Sequence, residues 1–131
     1  AKRIIVHVET LTPETAAQIS KMGRESKVEI MLSSNPHTDK EALKPYLKIF
    51  PGFQVLAVNP GYTGQQFLAS TLDKVKFLRQ SASGVKIEVD GGINKETAKL
   101  AKAAGANIVV AASYIFGAKD QKKAYEELKR I

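Results

Sequence analysis

The sequence predicts a parallel α/β fold of five β-α units, and three observations carry that reading. Short β-branched runs alternate with helical segments five times, no tight hairpin joins two strands directly, and the glycine-rich loops all fall on one edge, after strands. Such alternation requires right-handed crossovers that start each strand in the same direction. Ligands of parallel α/β proteins lie at the carboxyl ends of the strands, so the loops that leave the strands are the ones to inspect.

The first strand is "RIIVHVET", β-branched and short. A helix follows over "LTPETAAQISKMGRES", with Thr12 as N-cap, Pro13 at the first helical position and Glu14 in the first turn. "KVEIML" is the second strand and "SSNPHT" its loop. "DKEALKPYLKI" has helical spacing at Leu43 and Leu47, with Pro45 either early in the helix or kinking it. "FQVLAV" is the third strand and runs into the loop "NPGYTGQQF". The clearest amphipathic helix is "LASTLDKVKFLRQSA", with Leu72, Val75, Phe77 and Leu78 as its apolar stripe. "VKIEV" is the fourth strand, followed by "DGGIN". The next helix, "KETAKLAKAAG", is capped by Asn94 and closed by Gly105. "ANIVVAAS" is the fifth strand and "KDQKKAYEELKRI" the final helix.

A chain of 131 residues, 44% of them hydrophobic, suits one domain over residues 1–131. The absence of cysteine excludes a disulfide framework and any thiolate metal site. No apolar stretch has membrane-spanning length and the amino terminus lacks a signal-peptide pattern, so a cytoplasmic protein with no membrane partner is expected. The formal net charge of +7 raises nucleic acid as a partner, but the basic residues are spread along the chain and no cluster is interleaved with aromatics. An anionic small substrate or solubility explains the charge as well, and no nucleic-acid partner is expected.

Three loops could offer backbone amides to a ligand. Gly61 and Gly64 permit sharp turns in "NPGYTGQQ", Gly91 and Gly92 do so in "DGGIN", and Ser113 sits where the fifth strand gives way in "AASYIFGAK". Amide-rich loops after adjacent strands form a phosphate site in many β/α barrels, although the same glycines can serve tight turns alone. Asp90 ends the fourth strand on that edge. An aspartate there is commonly a turn former or cap, yet the cap is supplied by Asn94. His7 reads as a packed strand residue, His37 as an exposed loop residue, and Glu9 as a loop anchor or site-lining group.

Taken together, "LAVNPGYTGQQF", "IEVDGGIN" and "VVAASYIFG", in that order and spacing, resemble the ribulose-phosphate 3-epimerases, and "IIVHVET" is similar to that family's fourth strand. The resemblance implies a (βα)5 portion of an eight-stranded barrel, from the fourth strand onward, although an open doubly wound sheet is also a natural size for five units. It implies inversion of carbon 3 of a ketopentose 5-phosphate by two aspartates on opposite faces of the substrate. A divalent metal (Zn, Mn or Fe), held by two histidines and both aspartates, stabilises the enediolate in that family.

By the same resemblance, Asp90 is the second catalytic aspartate and a metal ligand. Gly61, Tyr62, Thr63 and Gly64 match the family's mobile loop, and Gly91, Gly92 and Ser113 its phosphate cradle. Thr63 stands where glycine is usual, Ala112 replaces the glycine of a Gly-Ser pair, and Leu56 replaces a methionine. The family's first three strands, with both metal histidines and the first aspartate, have no counterpart here. His7 matches the fourth-strand histidine and not a metal ligand. The expectation is therefore a fragment or a shortened relative, either completed by an amino-terminal segment or a homo-oligomer. Two other readings stand beside the enzyme: a sugar-phosphate-binding half-barrel without catalysis, and a related phosphate-barrel lyase.

Overall fold

The computed structural model describes residues 1–61 and 65–131. Five strands, β1 (Arg3–His7), β2 (Glu29–Ser34), β3 (Gly52–Leu56), β4 (Lys86–Asp90) and β5 (Ile108–Val110), form one sheet in the order β1-β2-β3-β4-β5. Every pairing is parallel. A doubly wound sheet reverses its strand order at a switch point, whereas strictly sequential order is that of a barrel. The sheet is therefore an unclosed portion of a barrel, with β1 and β5 as its edges.

The helices are α1 (Pro13–Ser26), α2 (Leu72–Ser81), α3 (Lys95–Ala104), the single turn α4 (Ser113–Phe116) and α5 (Gln121–Lys129). Local chemistry sets their ends as expected. Thr12 and Thr15 form a reciprocal capping box on α1 behind Pro13, and Asn94 does the same with Thr97 on α3. Gly105 closes α3 at φ 118°. Each cap contributes about 1 kcal/mol.

Several segments differ from the sequence expectation: the first strand stops at His7, where Val8–Thr10 winds as a 3-10 helix, and Ala69–Thr71 winds the same way ahead of α2. "DKEALKPYLKI" is not an α-helix: Lys40–Tyr46 winds as a 3-10 helix with Pro45 inside it. Proline has no N–H to give to the carbonyl four residues back, and the tighter winding places bonds such as Ala42 N–H to Asp39 O at 3.0 Å instead. Ser33 and Ser34 belong to β2 rather than its loop, and both are fully buried. The fifth strand keeps only Ile108–Val110, because α4 begins at Ser113.

The in-phase register fixes the two faces of the sheet. Leu32, Phe53, Val55, Ile87 and Val89 point to the helices and pack with Val75, Leu78, Ala98 and Ala101. The other, concave face carries Arg3, Glu29, Ser33, Gln54, Lys86 and Glu88. There the Ser33 hydroxyl donates to Gln54 Oε1 at 2.7 Å, and Gln54 Nε2 donates to Glu88 Oε1 at 2.8 Å. Arg3 reaches Glu88 Oε2 from β1 at 3.3 Å and Glu29 Oε1 at 2.5 Å, and Lys86 also holds Glu29. Closed barrels fill this space with layers of branched apolar side chains; here a neutral, bonded polar network spans it.

Glu88, only 4% exposed, is the hub. Glu88→Ala would leave the buried Gln54 amide without its acceptor and Arg3 with Glu29 alone, and is expected to lower stability by about 2 kcal/mol in urea unfolding. Lys76→Ala, which removes an exposed pair with Asp73, is expected to change it by less than about 0.5 kcal/mol.

Candidate functional site

The carboxyl ends of the strands gather the loops singled out from the sequence, and a chain of side-chain bonds joins those that follow β1, β2 and β3. Glu9 follows β1 and anchors the β2 loop: its Oε1 accepts from Asn35 N at 2.7 Å and from Thr38 Oγ1 at 2.5 Å. Burial pulls its carboxyl upward, but the bonds from Thr38 and Asn35, with His7 nearby, outweigh it and hold it below the usual carboxylate range. His37 joins the same loop to the next, with Nε2 3.0 Å from Asn59 Oδ1. Gln65 Nε2 in turn donates to Asn59 O at 2.7 Å. His7 is not packed in the core; its side chain is 44% exposed, with Nδ1 3.5 Å from Glu9 Oε2.

Lys74 was not among the sequence candidates, yet it supports this edge from below. It lies on α2, is 5% exposed, and donates to Asn35 O at 2.7 Å and Ser34 Oγ at 3.3 Å. Desolvation lowers its pKa, while the charges of Glu9 and Asp39 oppose that shift. The signal was in the spacing: Thr71, Lys74, Val75 and Leu78 share one helical stripe, and all four are buried.

Asp90 ends β4 in register with Leu56 and Val110. Its backbone carbonyl accepts Ala57 N at 2.7 Å, and Leu68 N closes onto Ala57 O at 2.7 Å. The segment between Ala57 and Leu68 is therefore tied shut at its base beside Asp90. The Asp90 carboxyl is half-buried and makes no hydrogen bond or ion pair among the described residues; desolvation raises its pKa.

Gly91 and Gly92 adopt φ 111° and 63°. A Cβ on Gly91 would lie 2.5 Å from Val58 Cγ2, and one on Gly92 2.7 Å from Phe67 N. Both glycines are thus required by the backbone turn and by the close approach of Val58 and Phe67. Ala112 and Ser113, both exposed, follow β5 at the adjacent strand end; Ala112 has φ −107°, so its methyl group meets no backbone strain. Gly61, at φ 112°, has open space around it. Tyr62, Thr63 and Gly64 lie outside the described residues.

Against the divalent ion implied by the resemblance, Asp90 brings one oxygen-bearing group and no company. Among the described residues no group of three or more His, Cys, Asp or Glu side chains is placed to hold a metal ion. These residues do not fit such a centre. Nor is any helix among them long and apolar enough to cross a membrane.

The sequence model of the ribulose-phosphate 3 epimerase family matches residues 1–116, and so takes in every loop just described. The chain belongs to the ribulose-phosphate 3-epimerase family. The ribulose-phosphate 3-epimerase of Bacillus subtilis is 40% identical over 111 residues, covering 81% of this chain and 51% of the relative. That of Methanocaldococcus jannaschii is 40% identical over 103 residues, covering 76% and 44%. This chain thus spans about half the length of these relatives. Among solved structures, 3-hexulose-6-phosphate synthase superposes with a TM-score of 0.76 at 21% identity, over 99% of this chain and 61% of its own. The 3-keto-L-gulonate-6-phosphate decarboxylase of Vibrio cholerae gives 0.74 at 21% identity, over 99% and 62%. At these identities the structural likeness speaks for the barrel fold alone, and it agrees with the unclosed sheet.

Stability measurements test this site. Gly92→Ala is expected to lower stability by at least about 2 kcal/mol, from the left-handed backbone and the contact with Phe67. Gly84→Ala, which meets open space at ordinary φ, should be neutral or slightly stabilising in the same urea titration. Asp90 is harder to ionise folded than unfolded, so its contribution is greatest below its unfolded pKa and falls as pH rises through the folded one. Asp90→Asn is therefore expected to raise Tm at about pH 7 and to leave it nearly unchanged at about pH 3.

Proposed function

We propose that this chain is the part of a pentose-phosphate 3-epimerase that supplies one of its two proton-transfer groups and the loops that hold the substrate phosphate. The observation that carries the reading is Asp90: a half-buried carboxyl without a partner among the described residues, raised in pKa, on the functional edge of the sheet. A carboxyl of that kind suits a group that must take up and release a proton near neutral pH. The family and the anionic substrate class implied by its relatives' names support the assignment.

Inversion at carbon 3 breaks the bond from that carbon to its hydrogen beside the ketone, passes the proton to one base, and delivers a proton to the opposite face. One carboxylate can serve only one face. Asp90 is the group on its side, and the bond from Ala57 N fixes the backbone from which its carboxyl projects. The exposed turn at Ala112 and Ser113, on the strand next to Gly91 and Gly92, is where the phosphate would meet backbone amides. The second carboxyl must come from polypeptide outside the described residues, on this chain's own extension or on another chain. The described residues do not by themselves fit a metal centre.

The test is exchange of the carbon 3 proton of ribulose 5-phosphate in heavy water. The chain alone is expected to bind the sugar phosphate in a calorimetric titration without exchanging the proton. Mixed with the amino-terminal half of the Bacillus subtilis relative, it is expected to gain exchange. Asp90→Asn should reduce that exchange about 10³-fold while leaving binding within about twofold. Parallel loss of binding and exchange would refute the role given to Asp90. Binding that never yields exchange in the mixture would instead support a sugar-phosphate-binding half-barrel, the reading favoured by the lone position of Asp90 among the described titratable groups.

A further inference from the structure

The excess positive charge is not spread evenly over the molecule. Parallel strands and returning helices put every long helix's carboxyl terminus at one end, opposite Asp90, and basic residues collect there. Lys2, Arg24, Lys27, Lys48, Lys129 and Arg130 are exposed at that end, and none forms an ion pair among the described residues. By contrast, Lys44, Lys76 and Lys99 pair with Glu41, Asp73 and Glu96 within their own helices or turns.

Within this basic end lies a cleft of about 300 Å³ between the end of α1 and the segment leading into β3. Arg24 and Lys27 form one wall, and Ile49 and Pro51 the other. Two features show that the wall is built rather than accidental. Arg24 Nη1 donates to Ser20 Oγ at 2.6 Å, and Ser20 Oγ donates to Ile49 O at 3.2 Å, so the guanidinium is fixed over the cleft with its remaining N–H groups unbonded among the described residues. Lys27 is the one non-glycine residue among those described with positive φ, at 55°. A helix end in that conformation favours glycine or asparagine, so a lysine there keeps a charge at a strain glycine would avoid. The one carboxylate in the lining, Glu29, is already held by Arg3 and Lys86.

We propose that this cleft docks an acidic peptide segment carrying an apolar residue, its carboxylates on Arg24 and Lys27 and its apolar side chain over Ile49 and Pro51. The guanidinium fork matches a carboxylate in two-point geometry, and Ile49, 41% exposed, offers aliphatic surface beside it. Lys48, next to Ile49, and Lys2, whose carbonyl accepts Glu29 N, extend the attractive field. Nucleic acid fits less well. Phe50, the only aromatic ring in the cleft, is buried, so no aromatic face is offered for a base to stack on. The site lies at the opposite end of the strands from Asp90 and does not depend on the role proposed for that residue.

The probe is a fluorescein-labelled peptide of Glu-Glu-Leu repeats, read by anisotropy, with Lys-Lys-Leu repeats and oligo-dT of equal length as comparisons. The acidic peptide is expected to bind at least about tenfold more tightly than either comparison. Lys27→Gly keeps the turn and removes the charge; it is expected to weaken binding about tenfold while Tm stays equal or rises. Arg24→Gln should weaken it similarly, and Lys95→Gln, at the other end of the molecule, should not. The proposal is overturned if the peptide does not bind, or if binding ignores Lys27→Gly and Arg24→Gln. It is equally overturned if oligo-dT binds as tightly and loses affinity with the same substitutions, which would mark a general polyanion surface.

Discussion

The bonds that converge on Glu88 hold the open sheet in its curved form. β1 and β4 are not neighbours, so Arg3 can reach Glu88 only because the sheet curls toward itself. The same carboxylate takes the Gln54 amide from β3, which passes the constraint on to Ser33 in β2. A buried carboxylate is tolerated when its oxygens are bonded and its charge is matched, and both conditions hold here. The curvature in turn faces the loops after β1 to β4 toward a common side, and the link from Glu9 through Asn35, Thr38 and His37 to Asn59 follows from it. A sheet of five strands would otherwise present an unfilled interior, which apolar layers could not cover without strands to cover them in return.

Much of this was legible in the chain. Caps at Thr12 and Asn94, proline at position 13 and the closing Gly105 are local signals, and local chemistry decided them. The parallel direction of the strands followed from uninterrupted β-α alternation, whereas their sequential order did not, since a doubly wound sheet alternates in the same way. The concave network was less visible, though "KIEVD" contained it. Strands buried on both faces read as continuous apolar runs, whereas this one alternates, so Lys86, Glu88 and Asp90 had to share a face. Lys74 was hidden because a lysine on a buried stripe looks like a mistake until the carbonyl it serves, Asn35 O, is placed beside it. The 3-10 winding of Lys40–Tyr46 was likewise a competition between apolar spacing and a proline, and the proline prevailed.

The glycine pair after Asp90 carries a separate lesson. Its amides are the part that a phosphate would use, yet the reason neither residue can be larger is the backbone of Phe67 and the side chain of Val58. Tight packing and ligand access are therefore imposed on the same two positions. A motif of this kind signals that two loops must touch before it signals what they bind, which is why the carboxyl of Asp90, and not the glycines, distinguishes a reactive edge from a merely compact one.

The bond from Leu68 N to Ala57 O has a further consequence. It closes the intervening segment at its own base, so part of the entropy of forming that loop is met locally, beside the strand ends. As a general rule, doubling the length of a loop costs only about 0.6 kcal/mol in closure entropy. Changes in length are tolerated least at Val58, Asn59, Gln65 and Phe67, which pack on Gly91 and Gly92 or bond within the chain of loop contacts. Within one barrel scaffold, a segment closed at its own base is a route by which substrate preference can drift while the Asp90 carboxyl, for which a proton-transfer role is proposed, is left untouched.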